Sequence, residues 1–165
     1  MDVDGDGFLE REDFEALTER WVALRGGADR ARLTEIMMGW WEELLAASDR
    51  NWDDKITLDE VLVLVDRLPQ MVDVVRWTAG AIFEAVDENG DGRISAGEYR
   101  QLIETWNGQA TDTDAVFHRL DLDGDGELSG LEFVELWTEF WVGDDPTAPG
   151  TWVFGRFDPT RPVPR

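Results

Sequence analysis

Asp87-Glu-Asn-Gly-Asp-Gly-Arg-Ile-Ser-Ala-Gly-Glu98 and Asp121-Leu-Asp-Gly-Asp-Gly-Glu-Leu-Ser-Gly-Leu-Glu132 are two copies of one twelve-residue loop. Short oxygen-bearing side chains stand at positions 1, 3 and 5: Asp87, Asn89 and Asp91 in the first, Asp121, Asp123 and Asp125 in the second. Gly at position 6 permits a sharp turn. The residue at position 7, Arg93 or Glu127, offers its backbone carbonyl, and Glu98 or Glu132 at position 12 closes the sphere with two oxygens. A cage of six to eight hard oxygens selects a divalent cation such as calcium.

Two weaker copies complete a repeat that starts at Asp2, Asp49, Asp87 and Asp121. The first places Asp2, Asp4 and Asp6 at positions 1, 3 and 5, Phe8 at position 7 and Asp13 at position 12. Asp is one methylene shorter than Glu and less able to give two oxygens, which favours six ligands and relaxes selection of calcium over magnesium at this site. The second places Asp49, Asn51 and Asp53 at positions 1, 3 and 5, Lys55 at position 7 and Glu60 at position 12, with Asp54 where Gly belongs. Asp tolerates the left-handed backbone better than most residues, so loop 2 either forms with strain or is the one left empty. All four loops resemble the EF-hand calcium loop. With average residue usage, five fixed positions agree by chance in roughly one window per million, so two full copies are no accident.

The net charge of -22 argues against nucleic acid and anionic membrane as partners, since both are polyanions. Fourteen acids stand at positions 1, 3, 5 and 12, four each in loops 1 and 4 and three each in loops 2 and 3. Such crowding predicts an ion-free chain strained by self-repulsion, with folding coupled to metal. There is no Cys, so disulfides and thiolate sites are excluded. The start carries no basic, apolar signal region and no apolar run reaches membrane length, so the cytoplasm is the expected location. Loop 1 begins at residue 2 without an entering helix, which leaves open whether the chain is truncated or its first hand half-built.

Apolar residues at spacings of three and four flank the loops: Leu44 and Leu45, Phe83 and Val86, and Phe117 and Leu120 before loops 2 to 4. After the four loops come Phe14 and Leu17; Val61, Leu64 and Val65; Tyr99, Leu102 and Ile103; Phe133, Leu136 and Trp137. This predicts an all-α chain of four helix-loop-helix hands. Position 8 is Leu9, Ile56, Ile94 or Leu128, and short strands should pair Leu9 with Ile56 and Ile94 with Leu128. Gly26-Gly27, Pro69-Gln70 and Asn107-Gly108 punctuate the hands, giving one pair over residues 1–69, a second over 70–143 and a tail over 144–165.

Asp at position 12 of loop 1, a deviant loop 2, many aromatics and the segment Gly143-Asp-Asp-Pro-Thr-Ala-Pro-Gly-Thr-Trp-Val-Phe-Gly155 make the chain resemble the sarcoplasmic calcium-binding proteins and their prokaryotic calerythrin-like relatives. The resemblance implies two lobes packed as one compact globule, with a buffering or signal-modulating role. Three to four calcium ions are expected, with magnesium competing chiefly at site 1.

Sensors expose a groove rich in flexible Met, whereas buffers scarcely open. This chain has four Met against nine Trp, and rigid rings read as core more readily than as an adaptable docking surface. Trp152 and Phe154 are expected to fill a groove between the lobes, and the residues from Asp158, with three Pro, to be loose. The expected role is a monomeric calcium buffer or signal modulator; the rival is a sensor that offers an apolar face to a protein target. Ser95 and Ser129 at loop position 9 are expected to reach the ion through water. The single His118 reads as a packing or surface residue, and no nucleophile has a plausible base, so an enzyme is not expected.

Overall fold

The computed structural model describes residues 1–155; the expectation of a loose end from Asp158 lies outside them. The chain divides between Met71 and Val72 into two units, each a pair of hands.

In the first unit, strand β1 (Phe8–Leu9) leads into helix α1 (Arg11–Leu24). Helix α2 (Arg30–Ser48), strand β2 (Ile56–Thr57) and helix α3 (Leu58–Val65) form the second hand. Gly26 and Gly27 take left-handed φ values of 63° and 91° and turn the chain from α1 to α2. β1 and β2 pair antiparallel with Leu9 opposite Ile56, as the position-8 pattern predicts. Phe14 and Leu17 are fully buried, and Phe14 meets Trp40 edge-on at 5.6 Å and Trp41 at 5.2 Å. Those three rings on α1 and α2 form the centre of this unit's core. Helix α3 departs from its expected face. Leu64 is buried, but Val65 is 37% exposed and Val61 only half-buried, because the helix spans two turns and ends at Val65.

The second unit comprises helix α4 (Val72–Val86), strand β3 (Arg93–Ser95), helix α5 (Ala96–Asn107), helix α6 (Asp114–Leu120), strand β4 (Glu127–Ser129) and helix α7 (Gly130–Val142). Ile94 stands opposite Leu128 in the antiparallel β3–β4 ladder, and both are fully buried. Gly108 ends α5 in the left-handed conformation, with φ of 67°. α7 packs along α4, and Phe133, Leu136 and Trp137 give it a buried stripe.

The tail folds back as a 3₁₀ turn over Pro149–Trp152 and packs on α7 and α6. Phe154 lies among Trp106, Trp137, Phe140 and Trp141, with centroid distances from 4.8 to 6.1 Å. Arg119 stacks over the Trp152 ring at 4.9 Å. These partners all belong to the second unit. The expectation placed these rings between the lobes; the partners described here lie within the second unit, where α7 carries its own strip of rings directly upstream of the turn.

Candidate metal centres

Each loop starts at the C-terminal end of a helix or at the chain's first residues and ends in the first turn of another, and one hydrogen-bond plan shapes all four. The position-1 carboxylate accepts at least two backbone amides with its two oxygens. Asp2 takes Gly5 at 2.7 Å and Gly7 at 3.0 Å; Asp87 takes Gly90 at 2.7 Å and Gly92 at 2.9 Å; Asp121 takes Gly124 at 2.8 Å and Gly126 at 2.9 Å. The position-3 oxygen accepts the position-5 amide: Asp4 from Asp6, Asn51 from Asp53, Asn89 from Asp91 and Asp123 from Asp125. Position 5 accepts from the residue at position 7 in turn, with Phe8, Lys55, Arg93 and Glu127 donating to Asp6, Asp53, Asp91 and Asp125. Backbone amides thus fix the carboxylates without consuming all their lone pairs.

Loop 2 follows the same plan despite Asp54. Asp49 accepts Trp52 at 2.7 Å and Asp54 at 3.1 Å. Closing it requires left-handed backbone at two side-chain-bearing residues, Trp52 at φ 63° and Asp54 at φ 60°. The other three loops put Gly at both places. Sequence reasoning singled out Asp54 and passed over Trp52, because position 4 carries no ligand; its requirement is purely conformational. Trp52 is 88% exposed and repays this strain with no burial.

Position 12 ties each loop to the helix that follows it. Asp13 accepts Val3 at 2.7 Å and Glu10 at 2.9 Å; Glu60 accepts Arg50 at 3.2 Å and Thr57 at 2.9 Å. Glu98 accepts Glu88 at 2.9 Å and Ser95 at 2.8 Å, and Glu132 accepts Leu122 at 3.2 Å and Ser129 at 2.8 Å. The hydroxyls of Thr57, Ser95 and Ser129 donate to the same glutamates and accept their amides, so each is half of a capping box. This capping role comes in addition to the water-mediated one expected of Ser95 and Ser129. The Ser-x-x-Glu and Thr-x-x-Glu spacings carried that signal in the sequence.

Electrostatics favours a cation at the loops. Among the described residues, Asp2, Asp4 and Asp13 bring carboxylate oxygens within 4.8 Å of one another, and so do Asp121, Asp123 and Glu132. Like charges that close repel by an amount only a counter-charge removes. The Asp6 amide favours ionisation of Asp4, yet desolvation and the neighbouring charges of Asp6, Asp13 and Asp2 outweigh it and raise the carboxyl above its usual range. Burial works against ionised Asp2, but the Gly7 and Gly5 amides prevail and hold it low. In loops 2 and 3 the Asn at position 3 relieves one such repulsion by donating to Asp53 or Asp91 at 2.9 Å. Oxygen-only donors, clustered negative charge and preset orientation fit a hard divalent ion.

His118 is exposed, with Nδ1 2.8 Å from the Asp114 carbonyl one helical turn back, which is the surface role expected of it. No helix among the described residues is long and apolar enough to cross a membrane.

The model of an EF-hand domain pair matches residues 78–138, and an EF-hand model matches residues 1–18. Helix, twelve-residue loop and capped helix, joined in pairs by a short ladder, are what these models describe: the chain contains EF-hand domains. Sarcoplasmic calcium-binding proteins are among its homologues. The alpha-B and -A chains from the shrimp Penaeus sp. are 35% identical over 60% of this chain, a match spanning 57% of their length and so less than two thirds of it. Sarcoplasmic calcium-binding protein 1 from Astacus leptodactylus is 27% identical over 93% of this chain and 88% of its own. Among solved structures, a Streptomyces coelicolor calcium-binding protein superposes with a TM-score of 0.64 at 26% identity, covering 87% of this chain and 92% of that one. The sarcoplasmic calcium-binding protein of amphioxus shares the fold with a TM-score of 0.68 at 21% identity, covering 96% and 91%.

Proposed function

We propose that the protein binds calcium at its EF-hand loops and acts as a compact intracellular calcium buffer or signal modulator with no catalytic role. Asp87, Asn89, Asp91, the Arg93 carbonyl and Glu98 hold one ion; Asp121, Asp123, Asp125, the Glu127 carbonyl and Glu132 hold a second. Asp2, Asp4, Asp6, the Phe8 carbonyl and Asp13 take a third, where magnesium competes. Asp49, Asn51, Asp53, the Lys55 carbonyl and Glu60 form the weakest site, because its loop closes only with Trp52 and Asp54 in left-handed backbone. Three to four ions bind per chain. The proposed organisation is two lobes, residues 1–69 and 70–143, with the tail from 144 belonging to the second. The net charge of -22 supports a monomer that avoids nucleic acid and membranes, and the cytoplasm is its proposed location.

The observation that carries the buffer reading is the filled groove of the second unit. Phe154 occupies the aromatic strip of α7, which is where a target segment would otherwise dock. The rival reading, a sensor that regulates a protein target, is favoured by exposed apolar side chains, notably Leu58 and Leu62 on α3 and Trp77 on α4. The Streptomyces coelicolor structure, described as a basis for prokaryotic calcium-mediated regulation, points the same way.

Fluorescence of a hydrophobic dye in millimolar magnesium, with free calcium stepped from nanomolar to millimolar, separates the two. A buffer leaves the dye dark while tryptophan emission reports binding. A dye signal that rises at micromolar calcium overturns the buffer reading in favour of the sensor.

A further inference from the structure

Of the three Asn in the chain, Asn89 and Asn107 are followed by Gly. The carboxamide carbon of an Asn is open to attack by the backbone nitrogen of the next residue, and Gly, with no side chain in the way, allows that approach best. Asn51 is followed by Trp52, whose bulk crowds the same path. Asn89 is position 3 of loop 3, and both it and Gly90 are exposed to water. In the folded loop the reaction is held off at each atom it needs. Asn89 Oδ1 accepts the Asp91 amide at 2.8 Å and Nδ2 donates to Asp91 Oδ2 at 2.9 Å, so the carboxamide is pinned at both ends to residue 91. The Gly90 nitrogen, which would attack, donates instead to Asp87 Oδ1 at 2.7 Å. Asn107 and Gly108 form the same dipeptide at the exposed C-terminal end of α5, where no loop ligand is involved. There Asn107 Nδ2 donates to the Thr111 hydroxyl at 3.3 Å and the Gly108 amide to the Glu104 carbonyl at 2.8 Å.

We infer that the Asn89–Gly90 pair is a deamidation site, which loop 3 keeps closed while it holds an ion and opens when ion-free. The inference rests on the ligand assignment proposed above. In the open loop the Gly90 nitrogen bonds to Asn89 Cγ, the Cγ–Nδ2 bond breaks, and the displaced proton leaves with Nδ2 as ammonia. Water then opens the cyclic imide at either carbonyl: at Cγ it gives an ordinary aspartate, at the main-chain carbon an isoaspartyl linkage. The sum is amide plus water giving acid plus ammonia, with no oxidant or reductant. Asp123–Gly124, at the same place in loop 4, is a poorer substrate because an ionised carboxylate is a weak electrophile. The two products differ in consequence. An aspartate at position 3 matches Asp4 and Asp123 of loops 1 and 4 and forfeits the Nδ2 bond to Asp91. The isoaspartyl form routes the backbone through Cγ and adds a methylene to a loop whose Gly90 and Gly92 amides must both reach Asp87, so that loop no longer closes. Chains left without calcium therefore lose site 3 for good, at a rate set by the fraction of time loop 3 stands open.

The test is a peptide map by mass spectrometry of the full chain aged at neutral pH, in saturating calcium and in chelator, with Asn107 as the reference in each sample. Asn89 should deamidate on the order of tenfold faster in chelator, and an isoaspartyl-specific methylation assay should find the linkage at residue 89. Glu98→Gln in saturating calcium separates an empty loop 3 from general unfolding, and it should raise the rate at Asn89 by a similar factor while Asn107 keeps its own. Aged chains returned to calcium should lack one tight equivalent in proportion to their isoaspartate. A rate at Asn89 that is equal in calcium and chelator, or that rises no more than the rate at Asn107, overturns the inference while leaving the ligand assignment standing. Should Glu98→Gln keep the native calorimetric stoichiometry, the ligand assignment itself fails and the guarding of Asn89 falls with it.

Discussion

The Tyr99 hydroxyl donates a hydrogen bond to the carbonyl of Trp152, 3.1 Å away and 53 residues further along the chain. The Val153 carbonyl lies 3.3 Å from the same hydroxyl. Tyr99 is fully buried, and burial pushes its phenol well above its ordinary value, so it remains a donor throughout the working pH range. Because Tyr99 follows Glu98, the helix turn that closes loop 3 also anchors the tail.

Replacing that hydroxyl tests the anchor. Tyr99→Phe should cost about 1 kcal/mol of stability, since the Trp152 carbonyl loses its donor. Chemical denaturation at saturating calcium measures it, and faster proteolysis between residues 143 and 149 should accompany the loss. Native stability together with native proteolysis would show that the bond contributes nothing.

The tail also depends on a close backbone approach. A Cβ on Gly150 would stand 2.4 Å from the Leu136 carbonyl oxygen, and the Gly150 amide donates to Glu139 at 2.7 Å. Gly150→Ala should therefore lift the turn from α7, lower stability by about 2 kcal/mol and raise dye fluorescence as the α7 rings become exposed. Gly80 on α4 has no atom within 4 Å of the same added carbon, so Gly80→Ala should stabilise by about 0.5 to 1 kcal/mol. A Gly150→Ala chain that binds no more dye than the native one would contradict the packing.

Loop 2 should improve when its backbone is relieved. Trp52→Gly should gain about 1 kcal/mol in ion binding at this site, and Asp54→Gly somewhat less because Asp accepts left-handed backbone more readily. Calorimetric titration of each variant should show the weakest equivalent tightening several-fold. If it stays unchanged, strain at these two residues does not limit site 2.

Glu98→Gln combined with Glu132→Gln should remove two equivalents of tight calcium binding in a calorimetric titration. Gln keeps the size of the side chain but gives up one charged oxygen pair at position 12. Unchanged stoichiometry would refute the ligand assignment for loops 3 and 4.

Chelation should lower the melting temperature, and added monovalent salt should restore part of the loss. The fourteen loop carboxylates contribute to a net charge of -22 that four divalent ions would reduce by eight, to -14. A melting point indifferent to both chelator and salt would mean that self-repulsion plays no part in the ion-free chain.

The four loops, their pairing and most of the buried stripes were legible in the sequence because each depends on residues at fixed local spacing. Leu9 opposite Ile56 and Ile94 opposite Leu128 follow from position 8 alone. What escaped depends on distance along the chain or on backbone conformation. The seat of Phe154 is formed by Trp106, Trp137, Phe140 and Trp141, and nothing local to Phe154 names them. Arg93 reaches Asp125 only because two loops 34 positions apart are joined by a ladder. The left-handed backbone of Trp52 was missed for a different reason: a ligand pattern records which side chains hold an ion and is silent on which residues must bend for it.

The placement of the indoles gives each unit its own optical address. Trp52 is 88% exposed at the tip of loop 2, and Trp77 is 57% exposed on α4, whereas Trp21, Trp40, Trp41 and Trp137 are buried. An aqueous collisional quencher would therefore reach Trp52 in the first unit and Trp77 in the second ahead of the half-buried Trp106, Trp141 and Trp152 and of the core indoles. Trp52 sits inside a metal loop and Trp77 does not, so the quenchable light that changes when loop 2 closes around an ion is emitted by a residue the loop itself holds in an unfavourable backbone state.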